Sequence, residues 1–206
     1  PYHWINDPNG LIYYKGNYHI FYQHFPYENF WGTMHWGHAT TKDFIHFQHY
    51  PIALYPSKIY DRNGCFSGSA IEKDGKLYLY YTAIRYAKEN PEYVHIQYSD
   101  DDLIASQALM ISDDGFHFDN KDGKQKIIDV IEDKALGDVR HTRDPKVWKM
   151  KNGKYALIVG SKVPSETGYC GEVLLYESED AVHFTYKNRF LDDHIGDMWE
   201  CPDLFE

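Results

Sequence analysis

The sequence has little cysteine, no long apolar run and no excess of positive charge, and each shortage excludes a class of protein. Its three cysteines, Cys65, Cys170 and Cys201, lie far apart and form no Cys-x-x-Cys pair, so neither a disulfide framework nor a structural zinc site is expected. No apolar segment reaches the roughly 18–20 residues that a membrane span needs. With 21 basic and 31 acidic residues the formal net charge is −10, which argues against nucleic acid or an anionic membrane as a partner.

Motifs for the common cofactors and nucleophiles are missing as well. The sequence contains no HExxH pair, no phosphate-binding P-loop and no glycine-rich dinucleotide loop, and Gly68-Ser69-Ala70 lacks the spacing of a serine nucleophile elbow. We therefore expect no cofactor and no metal. The cysteine usage and the absence of Asn-x-Ser/Thr sequons favour a bacterial cytoplasmic location. The chain starts at Pro1 without a methionine, so secretion stays open.

What the chain has in quantity is aromatic residues. They make up 17% of the sequence, with 19 Tyr, 11 Phe and 5 Trp, inside a hydrophobic fraction of 43% that is ordinary for a globular protein. Aromatic side chains favour strands over helices, and their flat faces suit sugar rings. The composition therefore predicts a fold rich in strands and is compatible with a saccharide ligand.

A seven-residue pattern, Ser/Thr-x-Asp-x-x-His-Phe, occurs three times, at residues 41–47, 112–118 and 178–184. Each copy stands between two strand-like runs, and its Asp is a residue that stabilises turns through its side chain. A second pattern lies upstream: Asp7-Pro8, Phe66-Ser67 and Asp144-Pro145 each stand nine residues before a hairpin glycine. The two patterns together indicate a structural repeat.

Each repeat contains about four short strands, which in the first repeat are predicted at residues 11–14, 17–22, 37–41 and 47–50. Four strands per unit is the signature of a β-propeller blade, and propellers close with roughly four to eight blades. We therefore predict three blades and the first strand of a fourth, beginning at Cys201-Pro202, as part of a larger ring. Residues 85–106 and 120–141 are predicted to be loops. A β-sandwich is the alternative, but it gives no reason for the threefold repetition.

Carboxylates occupy equivalent positions in three of these units. The innermost strands of a propeller line one channel, so Asp7, Asp144 and Glu200 are expected to face the same funnel although they are far apart in sequence. A single Asp-Pro pair is usually only a turn, but three at matched positions point to a site, because clustered carboxylates repel one another. A metal is the weaker explanation, since Arg143 supplies a competing cation next to Asp144.

Two carboxyl groups on either side of a sugar bond are the machinery of glycoside hydrolysis. Asp7 has the amide neighbours Asn6 and Asn9, which favour an ionised nucleophile. Glu200 follows Met198 and Trp199, and apolar neighbours favour a protonated acid. The sequence neighbours thus suggest Asp7 as nucleophile and Glu200 as acid.

Three segments resemble the signature motifs of glycoside hydrolase family 32, the β-fructofuranosidases: Trp-Ile-Asn-Asp-Pro-Asn-Gly at 4–10, Arg-Asp-Pro at 143–145 and Glu-Cys-Pro at 200–202. Residues 21–23, 36–38 and 65–69 also resemble family segments in the expected order. The resemblance implies that residues 1–206 are part of an N-terminal, five-bladed β-propeller catalytic domain, with the C-terminal blades and a β-sandwich domain absent. It also implies a retaining double displacement that releases terminal β-linked fructose.

In this resemblance Asp7 corresponds to the nucleophile, Glu200 to the general acid/base and Asp144 to the transition-state stabiliser. Further positions match the fructosyl pocket, namely Asn6, Gln23, Trp31, Phe66, Ser67, Arg143 and Cys201. Trp31 is equally compatible with simple packing, and Phe66 fits packing better than contact with a ligand. Gln23 lies in an apolar run, where a buried amide needs partners, and this favours a ligand contact.

The partner implied is a small saccharide: sucrose, sucrose 6-phosphate or a fructan. A phosphorylated sugar requires Lys or Arg outside the fructosyl pocket, and the sequence does not show which one reaches it. Two other functions stay open, a sugar-binding propeller without activity and an inverting glycosidase of the arabinan type. A protein-interaction propeller is disfavoured because it needs no channel carboxylates.

A chain of three blades leaves blade edges open, and unpaired strand edges promote association. We therefore expect the 206-residue chain, produced alone, to dimerise or aggregate in light scattering. A monomer that melts cooperatively contradicts this expectation.

Overall fold

In a computed structural model, which describes residues 2–166, 168–192 and 194–204, the chain is built almost entirely of antiparallel strands. The described residues form three four-stranded sheets, one for each repeat found in the sequence. The all-β class and the four strands per repeat are therefore confirmed, whereas a total of five blades stays a prediction.

Each sheet is a meander in which neighbouring strands are consecutive in sequence. The first sheet contains β1 (Trp4–Tyr14), β2 (Asn17–Phe25), β3 (His35–Thr41) and β4 (Phe47–Leu54). The second contains β5 (Gly64–Lys73), β6 (Lys76–Tyr86), β7 (Leu103–Ser112) and β8 (Lys124–Ile128). The third contains β9 (Arg143–Lys149), β10 (Tyr155–Ser165), β11 (Gly168–Ser178) and β12 (Thr185–Leu191). Four-stranded meanders of this kind are the blades of β-propellers.

The described helices are two short 3₁₀ turns, Ile59–Asp61 and Asp100–Asp102. Neither these turns nor any other described segment forms a helix that could cross a membrane.

Two of the predicted boundaries are wrong. Residues 120–141, predicted as a loop, contain β8, and the predicted loop 85–106 includes the ends of β6 and β7. The sequence of β8 is Lys-Gln-Lys-Ile-Ile, which reads as polar, but Lys124 is buried beside a buried carboxylate. Composition alone does not distinguish a lysine that neutralises a buried charge from one in solvent.

The predicted first strand of a fourth blade is also not present. Residues 200–204 have no strand conformation. A strand is held by hydrogen bonds to a neighbouring strand, and in the described part of the chain no strand pairs with this segment.

The repeated turns share one hydrogen-bonding scheme. In the first copy Asp43 Oδ1 accepts the backbone N–H groups of Ile45 and His46, at 2.9 and 2.8 Å, and Asp43 Oδ2 lies 2.7 Å from His46 Nδ1. Hydrogen bonds from the His46 side chain and backbone hold the pKa of Asp43 well below its usual range. The residue after this Asp is left-handed, with φ of 60° at Phe44 and 65° at Ala181. These local bonds explain why the pattern marks each blade.

The blades pack face to face through two apolar cores. One, between the first and second sheets, includes Phe21, Trp36 and Tyr81, and the other, between the second and third, includes Tyr80 and Leu157. This packing places β1 against β5 and β5 against β9. The first strands of the three blades therefore lie side by side, as the propeller prediction requires.

A buried ion pair ties the end of the first sheet to the second. Lys124 Nζ lies 2.6 Å from Asp61 Oδ2, and both side chains are fully buried. The same Asp61 oxygen accepts the Tyr81 hydroxyl at 2.9 Å, while Asp61 Oδ1 accepts the backbone N–H of Ser57 at 2.9 Å. Lys124 also donates to the Tyr55 carbonyl at 2.6 Å. The buried charges are thus paired and hydrogen-bonded, which is the condition for burying an ion pair.

Replacing Lys124 by Met should destabilise the protein strongly, because Asp61 is then left buried without a countercharge. We expect a loss of about 3–5 kcal/mol in the free energy of unfolding, measured by urea denaturation. Lys126→Met on the same strand is the control: Lys126 pairs with Asp129 at the surface, so its change should be within about 0.5 kcal/mol. A Lys124→Met protein as stable as its parent contradicts this role for the pair.

Candidate active site

Hydrogen bonds join the beginning of β9 to the second sheet. Ser69 on β5 donates to the Pro145 carbonyl at 2.8 Å and accepts the Val147 N–H at 3.0 Å. Thr82 on β6 accepts the Asp144 N–H at 2.8 Å. These bonds fix the position of β9 against the second sheet and so fix where Asp144 lies.

Cys201 brings two of the carboxylates together. Its backbone N–H donates to Asp144 Oδ2 at 2.9 Å, and its Sγ lies 3.6 Å from the same oxygen and 3.9 Å from Asp7 Oδ2. Partial burial of the thiol, together with the negative Asp144 and Asp7, raises the pKa of Cys201 to about 12. The protonated thiol is therefore a donor placed between two acceptors that are distant in sequence.

Glu200 joins this group through an ion pair. The Arg143 guanidinium, on the residue before Asp144, pairs with Glu200 Oε1. The apolar surroundings predicted for Glu200 are wrong, since its side chain is 62% exposed. The Trp199 ring instead packs against Phe190, with ring centres 5.5 Å apart. Neighbours in sequence do not have to be neighbours of the side chain in an irregular segment.

The position of Asp144 is unfavourable in two respects, the burial of its carboxyl group and its backbone conformation. It is only 6% exposed, and this burial raises the pKa of its carboxyl, while the Cys201 N–H and Arg143 act in the opposite direction. Asp144 and Cys201 both have left-handed backbones, with φ of 67° and 46°. Such conformations are uncommon for residues other than glycine and cluster at functional sites.

Asp7 is half-buried and accepts a hydrogen bond of 2.8 Å from Ser67 Oγ. The expectation that Asn6 and Asn9 support this carboxylate is wrong. The Asn6 side chain accepts the Trp4 ring N–H at 2.7 Å, and Asn9 is buried with its side-chain nitrogen unpartnered. The donor to Asp7 is instead the hydroxyl group of Ser67 on β5. Packing of β1 against β5 places Ser67 opposite Asp7.

The other predicted pocket residues make contacts with the beginning of β5 and with one another. The Trp31 and Phe66 rings pack edge to face, with centres 5.6 Å apart, and both side chains are half-buried. Gln23 is 2% exposed and donates to the Cys65 carbonyl at 3.0 Å. Its amide nitrogen thus has a partner within the protein, so burial alone does not require a ligand there.

A cavity of about 230 Å³ runs along the first strands next to Asp144. Its walls come from the beginning of β1, β5 and β9 and from the segment after Glu200, and include Asn9, Ser67, Ser69, Asp144, Lys146, Cys201 and Asp203. The described residues contain no cluster of three or more His, Cys, Asp and Glu side chains arranged to hold a metal ion. Of the three predicted carboxylates, Asp144 is among the walls of this cavity and Asp7 and Glu200 are not, so the cavity adjoins the site on the Asp144 side.

Sequence reasoning missed three residues near the site. Lys146 pairs with Asp203 at 2.9 Å beside the cavity, and His141 Nδ1 lies 2.8 Å from Arg143 Nη1. No repeated pattern marks them, and His141 lies at the end of a segment predicted as a loop. The one indication in the sequence is that Lys146 follows Asp144 by two residues on a predicted strand, and such residues point to the same face of a sheet.

Comparison with known proteins identifies the family of this chain. The family model described as the glycosyl hydrolases family 32 N-terminal domain matches residues 1–206. The chain belongs to glycosyl hydrolase family 32. Its relatives include a sucrose-6-phosphate hydrolase of Zymomonas mobilis, 41% identical over 98% of this chain and 38% of that protein.

Solved structures of the family have the same fold. A family 32 β-fructofuranosidase of Bombyx mori is 36% identical, with a TM-score of 0.80 over 99% of this chain and 39% of that one. A variant of that enzyme was solved in complex with sucrose and matches with a TM-score of 0.78, 36% identity and the same coverage. The chain thus spans well under half the length of these relatives.

Removing the charge of Asp144 should stabilise the protein at neutral pH. Burial raises the folded-state pKa, so the ionised carboxyl opposes folding above the unfolded pKa, and this penalty disappears as the pH falls below about 4. We expect Asp144→Asn to melt at a higher temperature than the parent at pH 7, with a difference that shrinks toward pH 4.

The control for this comparison is Asp197→Asn, since Asp197 is exposed and lies three residues before Glu200. Its melting temperature should follow that of the parent at both pH values. If Asp144→Asn melts below the parent at pH 7, the carboxylate is net stabilising and the interpretation of its burial is wrong.

Proposed function

We propose that this chain supplies the catalytic carboxylates of a β-fructofuranosidase that releases terminal β-linked fructose with retention of configuration. The observation that carries the proposal is the contact of Cys201 with both Asp7 and Asp144, next to a Glu200 held by Arg143. Membership of family 32 supports the same roles, since these residues lie in the motifs by which the sequence resembles the family.

Asp7 is the nucleophile in this proposal. Ser67 holds Oδ2 of the carboxylate at 2.8 Å, which orients the group and leaves the other oxygen for attack on the anomeric carbon of fructose. The C–O bond to the leaving sugar breaks as the Asp7 ester forms, and water later hydrolyses that ester. A hydrogen bond from a neutral hydroxyl orients the nucleophile without neutralising its charge.

Glu200 is the general acid and then the general base. It donates a proton to the oxygen of the departing sugar, and in the second step it accepts a proton from the attacking water. Arg143 holds the carboxyl at the open side of the site, where the leaving sugar departs. The exposure of Glu200 to solvent gives that water a route to it.

Asp144 stabilises the transition state in this scheme without forming a covalent bond. Its Oδ2 accepts the Cys201 N–H at 2.9 Å, and its other oxygen is available for fructose hydroxyl groups. A buried acceptor fixed in advance strengthens hydrogen bonds to a sugar that gains positive charge. Trp31 and Phe66 offer apolar ring surface beside it, and Gln23 and Asn6 complete the proposed fructosyl pocket.

The substrates proposed are sucrose, sucrose 6-phosphate or fructans. The chain itself is proposed to be the N-terminal part of a five-bladed propeller that a β-sandwich domain follows. A bacterial cytoplasmic location is part of the proposal, and it is supported by the reduced thiols of Cys65 and Cys201, the state that reducing compartments maintain.

Asp7→Asn and Glu200→Gln in the complete protein should each lower kcat for sucrose hydrolysis by about 10³-fold or more, because each removes a group required for the chemical step. Released fructose is the measurement. Glu179→Gln, a substitution of an exposed glutamate on another surface, is the control and should retain the parent rate.

Calorimetry with sucrose separates this proposal from a protein that only binds sugar. The two inactive variants should still bind sucrose. Parent-like rates for either variant contradict the assigned roles, and sucrose binding without any fructose release by the parent contradicts the enzymatic function.

A further inference from the structure

One lysine of the third blade lies beside the segment that carries Glu200. Lys162 is half-buried on β10, two residues beyond Gly160, where a Cβ atom would be 1.9 Å from the Trp199 carbonyl oxygen. In the strand register Lys162 is opposite Gly171, on which the Trp199 ring lies. The Lys162 side chain therefore leaves β10 on the face that Trp199, the residue before Glu200, covers.

The charge of Lys162 is not neutralised by a carboxylate in the described part of the chain. Its ammonium group lies 4.1 Å from the centre of the Tyr169 ring, which attracts a cation but leaves its hydrogen-bond donors available. The neighbouring cations are all paired with acids: Arg143 with Glu200, Arg140 with Asp101 and Asp138, and Lys146 with Asp203. Among these four cations of the described residues, Lys162 is therefore the one whose hydrogen-bond donors are available to a ligand.

His141 offers a second donor, and the charge of Lys162 acts on its ring. Arg143 Nη1 lies 2.8 Å from His141 Nδ1, and because a guanidinium group only donates, Nδ1 must accept and the ring proton sits on Nε2. Burial lowers the pKa of His141 to about 4, and Lys162 is the largest of the charged neighbours that lower it further. The ring is therefore neutral near pH 7, with its Nε2–H directed away from Arg143.

The position of these donors relative to Glu200 decides what they bind. Glu200 protonates the oxygen of the departing sugar, so that sugar lies on the Glu200 side of the scissile bond. Arg143 contacts both Glu200 and His141, which places the His141 ring within one side chain of the acid. A group carried by the leaving sugar can therefore reach His141 and Lys162, whereas the fructosyl unit at Asp7 is on the other side.

We propose that Lys162 and His141 bind the phosphate group of a phosphorylated leaving sugar, a hexose 6-phosphate. This assignment rests on the proposed function and adds a specificity determinant to it. A phosphate monoester is close to a dianion at neutral pH and takes charge-assisted hydrogen bonds from Lys and from N–H donors. On a chain with a net charge of −10, a lysine without a carboxylate partner, whose charge acts on the histidine that Arg143 joins to Glu200, is the feature that such a substrate requires.

The test compares sucrose with sucrose 6-phosphate in the complete protein. For Lys162→Met, the ratio of kcat/KM for sucrose 6-phosphate to that for sucrose should fall about tenfold, mainly through KM, as expected for the loss of one charge-assisted hydrogen bond. Lys162→Arg should restore most of the ratio. Lys149→Met, an exposed lysine at the opposite end of β9, is the matched control and should leave the ratio unchanged.

Product inhibition of the unsubstituted protein tests the same inference without any variant. Glucose 6-phosphate should inhibit about tenfold more strongly than glucose, and inorganic phosphate alone should inhibit much more weakly than glucose 6-phosphate. Equal inhibition by glucose and glucose 6-phosphate overturns the inference, as does equal inhibition by inorganic phosphate. An unchanged ratio in a folded Lys162→Met protein also overturns it.

These outcomes differ from a failure of the proposed function. If Asp7→Asn retains its rate on sucrose, the catalytic assignment is wrong whatever the phosphate data show. If sucrose hydrolysis depends on Asp7 and Glu200 but the substrate ratio does not depend on Lys162, only the phosphate site is wrong.

Discussion

The contact of Cys201 with Asp7 and Asp144 is the interaction on which the rest of the site depends. Two carboxylates that approach each other are stable only when donors lie between them, and Cys201 supplies a backbone N–H and a protonated thiol. By making these bonds, residue 201 also fixes residue 200. Side chains 194 positions apart in the sequence therefore meet at one cavity, and Glu200 takes its place beside them through Arg143.

The framework behind this contact is rigid for reasons that are local to each blade. The repeated Asp turns and hairpin glycines define the strands, and the apolar cores place β1, β5 and β9 in a row. Within that frame the site has an energetic cost, since Asp144 is buried and has a left-handed backbone. The apolar cores stabilise the rest of the molecule, and the buried charges of Lys124 and Asp61 are paired with each other. This division is common in enzymes, where a strained site is held by a stable scaffold.

Much of this could be predicted from the sequence because the relevant signals are short-range. A turn such as residues 41–47 is closed by its own Asp43, so its pattern survives without knowledge of the fold. The convergence of Asp7, Asp144 and Glu200 followed from the repeat. Long-range effects were not accessible: Lys124 in β8 reads as solvent-exposed until Asp61 is placed beside it. The surroundings of Glu200 were misjudged for the same reason, since the Trp199 ring packs against Phe190 and the Glu200 side chain is exposed.

The central claim is that Asp7 forms a covalent bond to the fructosyl unit while Glu200 serves the leaving group. Fructosyl fluoride needs no protonation to depart, so the complete protein with Glu200→Gln should accumulate the intermediate with this substrate. Peptide mass spectrometry after rapid acid quench should then find a fructosyl group on the peptide that contains Asp7. A fructosyl group on Asp144 instead, or fluoride release with inverted fructose and no adduct, contradicts the account.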